Sequence, residues 1–91
     1  MLYDTLLRLA DTPVVRLNRA VAIAFADSPE AGLREVEAIG GLEGYHLWHA
    51  ARAQLLKRLG RRAEAQAAFQ RALSLTENRV EREFLSRQMR A

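Results

Sequence analysis

The sequence contains no cysteine. Disulfide bonds and thiolate-ligated zinc sites are therefore excluded, and a domain of this size must be held together by packing alone. Residues 21–26 belong to the longest apolar run, which is far shorter than the roughly 20 residues that a membrane-spanning helix needs. A secretory signal is not expected, because Asp4 interrupts the first apolar segment. These absences predict a cytoplasmic protein that makes no membrane contact.

The sequence also lacks the motifs of catalysis. It has no glycine-rich phosphate loop, no cysteine nucleophile, and no recognisable grouping of serine, histidine and aspartate. His46 and His49 could in principle share a metal ion, but no third well-spaced ligand accompanies them. We therefore expect no enzymatic activity, no catalytic residue, no cofactor and no metal site.

Acidic residues are scarce in the second half of the chain. Residues 1–45 carry four basic and seven acidic side chains, whereas residues 46–91 carry ten basic and four acidic ones. Such an asymmetry can steer an acidic partner towards the second half. A possible basic patch flanks the turn at Gly60 and consists of Lys57, Arg58, Arg61 and Arg62. No aromatic side chains interleave with these cations to stack on bases, so we expect no direct nucleic-acid contact.

No segment shows the strict alternation of apolar and polar residues that a half-buried strand requires. Apolar residues instead recur at helical spacing, and proline, glycine and capping residues separate the segments. About six helices are predicted, near 2–10, 13–26, 29–39, 44–59, 62–75 and from 79 onwards. Thr12, Ser28 and Asn78 are expected N-caps, with Glu81 completing a capping box, and Gly60 is the expected C-terminal stop.

The apolar stripes of these helices predict the core. We expect Val14, Leu17, Val21 and Ala24 to be buried in the second helix, and Val80, Phe84, Leu85 and Met89 in the last. Tyr45 and Trp48 should anchor the packing between two helical hairpins.

An internal repeat with a constant spacing relates the two hairpins. Four positions of the first match four of the second: Ala20, Ile23, Gly32 and Val36 correspond to Ala53, Leu56, Ala65 and Phe69. Small residues at two of these positions permit close helix packing, so the pattern resembles a tetratricopeptide-like repeat. Asp27 departs from that pattern where a turn glycine is usual. The prediction is an all-α, antiparallel helix-hairpin repeat forming one domain over 1–91; accidental spacing of two alanine-rich hairpins is the alternative.

Three stretches carry a narrower resemblance over nearly the whole chain. They are Leu2-Tyr3-Asp4 continuing to Leu9, Thr12-Pro13-Val14-Val15 followed by Leu17-Asn18-Arg19-Ala20-Val21-Ala22, and Gly44-Tyr45-His46-Leu47-Trp48-His49-Ala50-Ala51-Arg52-Ala53. Together they resemble the tetratricopeptide-like C-terminal extension of a group of bacterial extracytoplasmic-function RNA polymerase sigma factors. The runs 17–22 and 44–53 are its specific parts.

The resemblance implies that this chain is a fragment of a longer sigma factor, with Met1 either a native start or an artificial boundary. In that group the N-terminal portion binds the polymerase core and the promoter, and the extension is an accessory or regulatory domain. The implied partners are the N-terminal sigma regions, the polymerase core or a regulator. A generic repeat adaptor that binds a peptide or forms a homodimer, unrelated to transcription, is the alternative.

Five residues are candidates for partner binding: Asn18, Arg19, His46, His49 and Arg52. Asn18 lies in an otherwise apolar helix, where it either satisfies a backbone group or docks the preceding sigma regions. Arg52 either lines a concave surface or pairs with an acidic residue such as Glu64. The concave face formed by the helices at 13–26 and 44–59 is the expected docking surface.

Overall fold

A computed structural model of the protein describes residues 12–91. Within this range the chain forms five α-helices and no β-strand, which confirms the all-α class. The helices are α1 (Pro13–Ala26), α2 (Pro29–Ala38), α3 (His46–Arg58), α4 (Arg62–Leu75) and α5 (Arg79–Arg90). The predicted helix at 2–10 lies outside the described residues.

Three helices begin at the side-chain caps that the sequence predicts. Thr12 Oγ1 accepts a hydrogen bond from the amide of Val15 at 3.2 Å, and Ser28 Oγ accepts one from the amide of Ala31 at 3.1 Å. Both of these caps are followed by a proline at the first helical position, where a missing N–H is harmless. The other two starts, α3 and α4, have no side-chain cap.

The capping box expected at the start of α5 forms only in part. Asn78 Oδ1 accepts from the amide of Glu81 at 3.0 Å, as predicted. The reciprocal bond, in which the Glu81 carboxylate would accept from the amide of Asn78, is absent, because that amide donates to Thr76 Oγ1 at 3.2 Å. The Thr76 hydroxyl in turn donates to the Glu81 carboxylate at 3.1 Å. The buried threonine therefore takes the role that the pattern assigns to the glutamate.

The helices α1 and α2 form the first hairpin, and α3 and α4 form the second. Gly60 ends α3, as predicted. Its φ of +76° lies in the left-handed region, which glycine adopts without strain. In this turn the amide of Arg61 donates to the carbonyl oxygen of Leu56 at 3.0 Å. The amide of Gly60 donates to the carbonyl oxygen of Lys57, also at 3.0 Å. The last carbonyls of α3 are thereby satisfied, as in a Schellman turn.

The five helices form two layers. Each helix packs on the next along the chain, and α1 also touches α3, so α1, α3 and α5 form one layer and α2 and α4 the other. The layer of α1, α3 and α5 is called here the inner layer. Contacts between α3 and α5 join first turn to first turn, through His46 and Glu81, and last turn to last turn, through Lys57 and Gln88. These two helices therefore run in the same direction.

The helix starts repeat at a fixed interval. The inner helices begin at positions 13, 46 and 79 and the outer ones at positions 29 and 62, so all three intervals are equal. The four pairs of positions that the internal repeat relates are buried in both hairpins, except for Ile23, which is half-buried. At Gly32, an added Cβ would lie 2.4 Å from the Cβ of Ala24 and 3.0 Å from the carbonyl oxygen of Ala20. The first hairpin therefore needs glycine at this position.

The aromatic residues at the start of the second hairpin join it to the first, as predicted. Tyr45 and Trp48 are half-buried and pack against the core. Trp48 Nε1 donates to the backbone carbonyl of Val36 at 2.9 Å, which links α3 to the last turn of α2. The indole thus contributes both apolar contact and a hydrogen bond between the hairpins.

The core lies between the layers and includes only some of the residues predicted for it, since Val21 and Met89 are half-buried. Leu17, Ala24 and Leu85 are buried as expected. By contrast, Val14, Val80 and Phe84, which we predicted to be buried, are 40%, 72% and 47% exposed. Their positions face the side of the inner layer that α2 and α4 do not cover, which is why the apolar stripe misled the prediction. None of the five helices combines the length and apolarity needed to cross a bilayer.

Candidate protein-interaction surface

Two adjoining cavities that share part of their lining form a groove on the uncovered side of the inner layer. Its first part, between α1 and α3, has a volume of about 480 Å³, and its second part, between α3 and α5, has about 370 Å³. Leu47, Ala50 and Phe84 line both parts. We call the whole the inner groove. Its further lining is mainly apolar and includes Val14, Leu17, Val21, Phe25, Tyr45, Ala51, Leu55 and Val80.

The inner groove collects the large apolar side chains that the described residues expose. There are five of them, and all line it: Val14, Phe25, Leu47, Val80 and Phe84. Three of these, Val14, Leu47 and Val80, occupy the same position in the first turns of α1, α3 and α5, one residue after each helix begins. Scattered exposed apolar residues are ordinary on a protein surface, whereas a contiguous set is typical of a binding surface.

A cation lies at the end of the groove where α1 and α3 finish. The guanidinium carbon of Arg58 is 5.0 Å from the ring centroid of Phe25, within the range of a cation–π contact. Phe25 is 76% exposed, so this contact leaves most of the ring open to solvent. An aromatic surface and a positive charge are therefore presented together.

A polar contact between α3 and α5 lies at the opposite end of the groove. His46 Nε2 contacts the carboxylate of Glu81, and both residues line the groove. Glu81 also accepts the hydroxyl of Thr76, so its carboxylate is already engaged by two neighbours. This contact fixes the first turn of α5 relative to α3.

The structure separates the five candidate partner-binding residues. Asn18 is exposed and lines the groove, and His46 lines it while contacting Glu81. Arg19 is exposed but does not line the groove. His49 Nε2 is 2.7 Å from the carbonyl oxygen of Glu43, in the turn before α3.

Arg52 is also turned away from the groove. Its Nε donates to Glu37 Oε2 at 3.0 Å, which joins α3 to α2. Arg52 thus pairs with an acidic residue, as one of the two interpretations predicts, but this residue is Glu37; Glu64, the example named from the sequence, pairs with Arg61 instead.

The metal hypothesis gains no support from the geometry. His46 contacts the glutamate of α5, whereas His49 contacts a backbone carbonyl of the preceding turn. Among residues 12–91, no cluster of three or more histidine, cysteine, aspartate or glutamate side chains could hold an ion.

The four cations around Gly60 have different surroundings. Lys57 is half-buried, and its Nζ donates to the backbone carbonyl of Gln88 at 2.9 Å. Arg61 Nη2 lies 2.7 Å from Glu64 Oε2, and this hydrogen bond raises the pKa of Arg61 and lowers the pKa of Glu64. Arg58 lines the inner groove, while Arg62 lines a crevice against the end of α5. Two of the four charges are therefore engaged within the protein.

Leu47 and Phe25 contribute to the groove but were not among the predicted site residues. The signal that could have found Leu47 is its recurrence with Val14 and Val80 at the helix-start interval. Helical spacing shows which residues of a helix are apolar, but it does not separate a face buried in the core from an adjoining face that is exposed. The sequence therefore predicts one broad buried face where the helix has two distinct apolar faces.

The chain is similar to part of a longer bacterial protein. The chain is 47% identical over 90 residues to an uncharacterized protein of Rhizobium meliloti (strain 1021). The match covers 98% of this chain but only 21% of that protein. The chain thus spans about a fifth of the length of the curated relative it matches. No protein-family profile matches the chain, and no solved structure is significantly similar to it.

Proposed function

We propose that this chain is a protein-interaction domain whose inner groove docks a segment of another protein or of preceding regions of the same polypeptide. The observation that carries the proposal is the gathering of all five large exposed apolar side chains in that groove. Covering such a surface removes apolar area from water, which stabilises a complex by about 25 cal/mol per Å² before the costs of association. The proposal assigns the domain no enzymatic activity of its own.

We further propose that the fold is a tetratricopeptide-like array. Helix starts repeat at equal intervals, and small residues are buried at matched positions, Ala20 with Ala53 and Gly32 with Ala65. Arrays of this kind stack helical hairpins so that one layer lines a binding surface. The inner layer has that role here.

The context that we propose is an accessory and regulatory domain of a cytoplasmic RNA polymerase sigma factor, acting in transcription initiation. The two runs most specific for that resemblance, 17–22 and 44–53, supply opposite walls of the inner groove through Leu17, Val21 and Leu47. The match to a segment of a much longer relative is also what an accessory domain would give. Its partners would be the N-terminal sigma regions, the polymerase core or a regulator.

The test is promoter-specific transcription by the full-length protein that carries this domain. We expect Leu47→Glu, which puts a charge on the groove, to lower transcription about tenfold or more, as losing one anchor residue typically costs about 1.4 kcal/mol or more. Leu47 is 41% exposed, so the variant should fold, and circular dichroism checks this. The matched control is Ala67→Glu on α4, at an exposed position away from the groove.

Three results are distinguishable. A loss specific to Leu47→Glu, with loss of polymerase or sigma regions in a pull-down, supports the sigma assignment. If the variant instead loses an unrelated peptide while transcription is unchanged, the domain is a generic adaptor. Unchanged transcription together with unchanged binding by a folded variant rules out docking through the groove.

A further inference from the structure

The inner groove has a charge polarity along its length. Val14, Leu47 and Val80 lie near the first turns of the three inner helices, whereas Arg58 and Arg87 lie nearer their ends. Neither arginine has a carboxylate partner among residues 12–91. Within that same range, the one acidic residue that lines the groove is Glu81, and His46 already contacts it. The groove therefore presents an apolar half and a half with two unneutralised positive charges.

Hydrogen-bonding groups are few along the apolar lining. In the part of the chain that the structure describes, only Asn18, Tyr45 and Gln54 offer polar side-chain atoms there besides the charged residues and His46. An extended peptide pressed into such a groove would lose water from its backbone N–H and C=O groups without gaining partners, which is costly. A helix satisfies those groups internally and presents only side chains. The groove thus favours a helical occupant over an extended one.

The extent of the groove also suits a short helix. Val14 and Phe25 bracket the wall formed by α1, and the 11 helical steps between them correspond to about 16 Å at 1.5 Å per residue. An occupant of about three turns would cover this wall. The small side chains Ala50 and Ala51 on α3 allow its side chains to approach the groove floor closely.

From these features we infer that the inner groove takes an acidic amphipathic α-helix supplied by another protein region, with its apolar stripe on the valine and leucine side chains and its carboxylates facing Arg58 and Arg87. This inference rests on the docking function proposed above and specifies the chemistry of the partner. The complementary charges would fix the direction in which the helix lies and raise its rate of association.

The test uses the full chain and a displayed library of randomised 16-residue peptides as the probe. We expect the enriched sequences to show apolar residues at i, i+3, i+4 and i+7 with aspartate or glutamate nearby, and to become helical on binding. Their affinity should fall steeply as salt is raised. Enrichment of proline-rich or lysine-rich sequences, or no enrichment over the Phe25→Ser variant, would overturn the inference.

Charge reversal provides the second measurement. Arg58→Glu should weaken binding of a selected acidic peptide about tenfold or more, and a lysine-substituted version of the same peptide should regain affinity for that variant. Arg62→Glu is the matched control, because Arg62 is an exposed arginine outside the groove. Equal effects of the two reversals would show that only the overall charge matters and would contradict a defined acidic contact.

Two other occupants are separate outcomes of the same study. Concentration-dependent dimers in sedimentation that Phe25→Ser abolishes would identify a second copy of this chain in the groove and overturn the inference. A rise in peptide affinity caused by Leu6→Asp would identify the chain's own segment 1–11 as the occupant. This result would also overturn the inference. A monomer whose peptide affinity is unaffected by Leu6→Asp supports a partner helix. The transcription test of the domain's role can fail or succeed independently of these results.

Discussion

The two hairpins meet the same packing requirements with different residues. Gly32 in α2 corresponds to Ala65 in α4, and Val36 corresponds to Phe69; all four are buried. The connection within the first hairpin contains Asp27 at φ −116°, whereas the second uses Gly60 at φ +76°. The first hairpin therefore needs glycine at the close contact between its helices, whereas the second needs it at the turn between its helices.

The largest difference should appear at the helix contact. We expect Gly32→Ala to lower the free energy of unfolding by about 3 kcal/mol, because its Cβ would overlap Ala24 and the rigid backbone there. The reverse change in the second hairpin, Ala65→Gly, should cost about 1 kcal/mol through helix propensity, with a small addition for the lost methyl group. Urea unfolding followed by circular dichroism measures both. Equal losses at the two positions would mean that the hairpins are packed alike.

A smaller difference is expected at the turns. Gly60→Ala should destabilise the protein by about 1 kcal/mol, because an L-residue is strained at positive φ. Asp27→Ala should change stability by only a few tenths of a kcal/mol, since its backbone lies at negative φ and any residue can keep its amide bond to Ile23. Thermal unfolding of both variants tests this. A large loss of stability in Asp27→Ala would contradict this prediction and show that the Asp27 side chain stabilises the turn.

The smallest effect concerns the starts of the outer helices and depends on pH. Ser28 caps α2 by accepting the amide of Ala31, while the corresponding Arg61 pairs with Glu64. Hydrogen bonding to Arg61 lowers the pKa of Glu64 in the folded state. Its contribution is therefore present above the ordinary glutamate pKa of about 4.3 and lost as pH falls through the lowered folded value.

The measurement compares melting temperatures of the native chain and Glu64→Gln between pH 7 and pH 2. A small difference should be present near neutrality and disappear under acid, and high salt should reduce it because the pair is exposed. Ser28→Ala provides the contrast, since the serine cap does not titrate and its loss should be the same across that range. A difference for Glu64→Gln that persisted at pH 2 would contradict an ionic role.

Local signals predicted the helices well. The caps at Thr12, Ser28 and Asn78 and the stop at Gly60 act over three or four residues, so the sequence contains all the information they need. The bounds predicted for α4, 62–75, also match the structure, although no side-chain cap marks its start.

Features that depend on how helices meet were not predictable in the same way. Arg52 pairs with Glu37, 15 residues away, because α3 packs on α2 at one particular rotation. Val80 and Phe84 are apolar and helically spaced, yet no helix covers them in the described part of the chain. A sequence pattern shows which face of a helix is apolar, but it cannot show whether that face meets its own chain or another protein.

The interval between helix starts stays constant because a shorter outer helix is followed by a longer linker. The helix α2 has 10 residues and α4 has 14, yet the next inner helix begins at the same distance in both cases. The longer linker 39–45 thus replaces one turn of helix that the second hairpin keeps. Extending α2 by a turn at the expense of that linker should preserve the phase of the inner layer. A single residue inserted within α3 would instead rotate everything after it by about 100° and bring Arg58 out of line with Phe25.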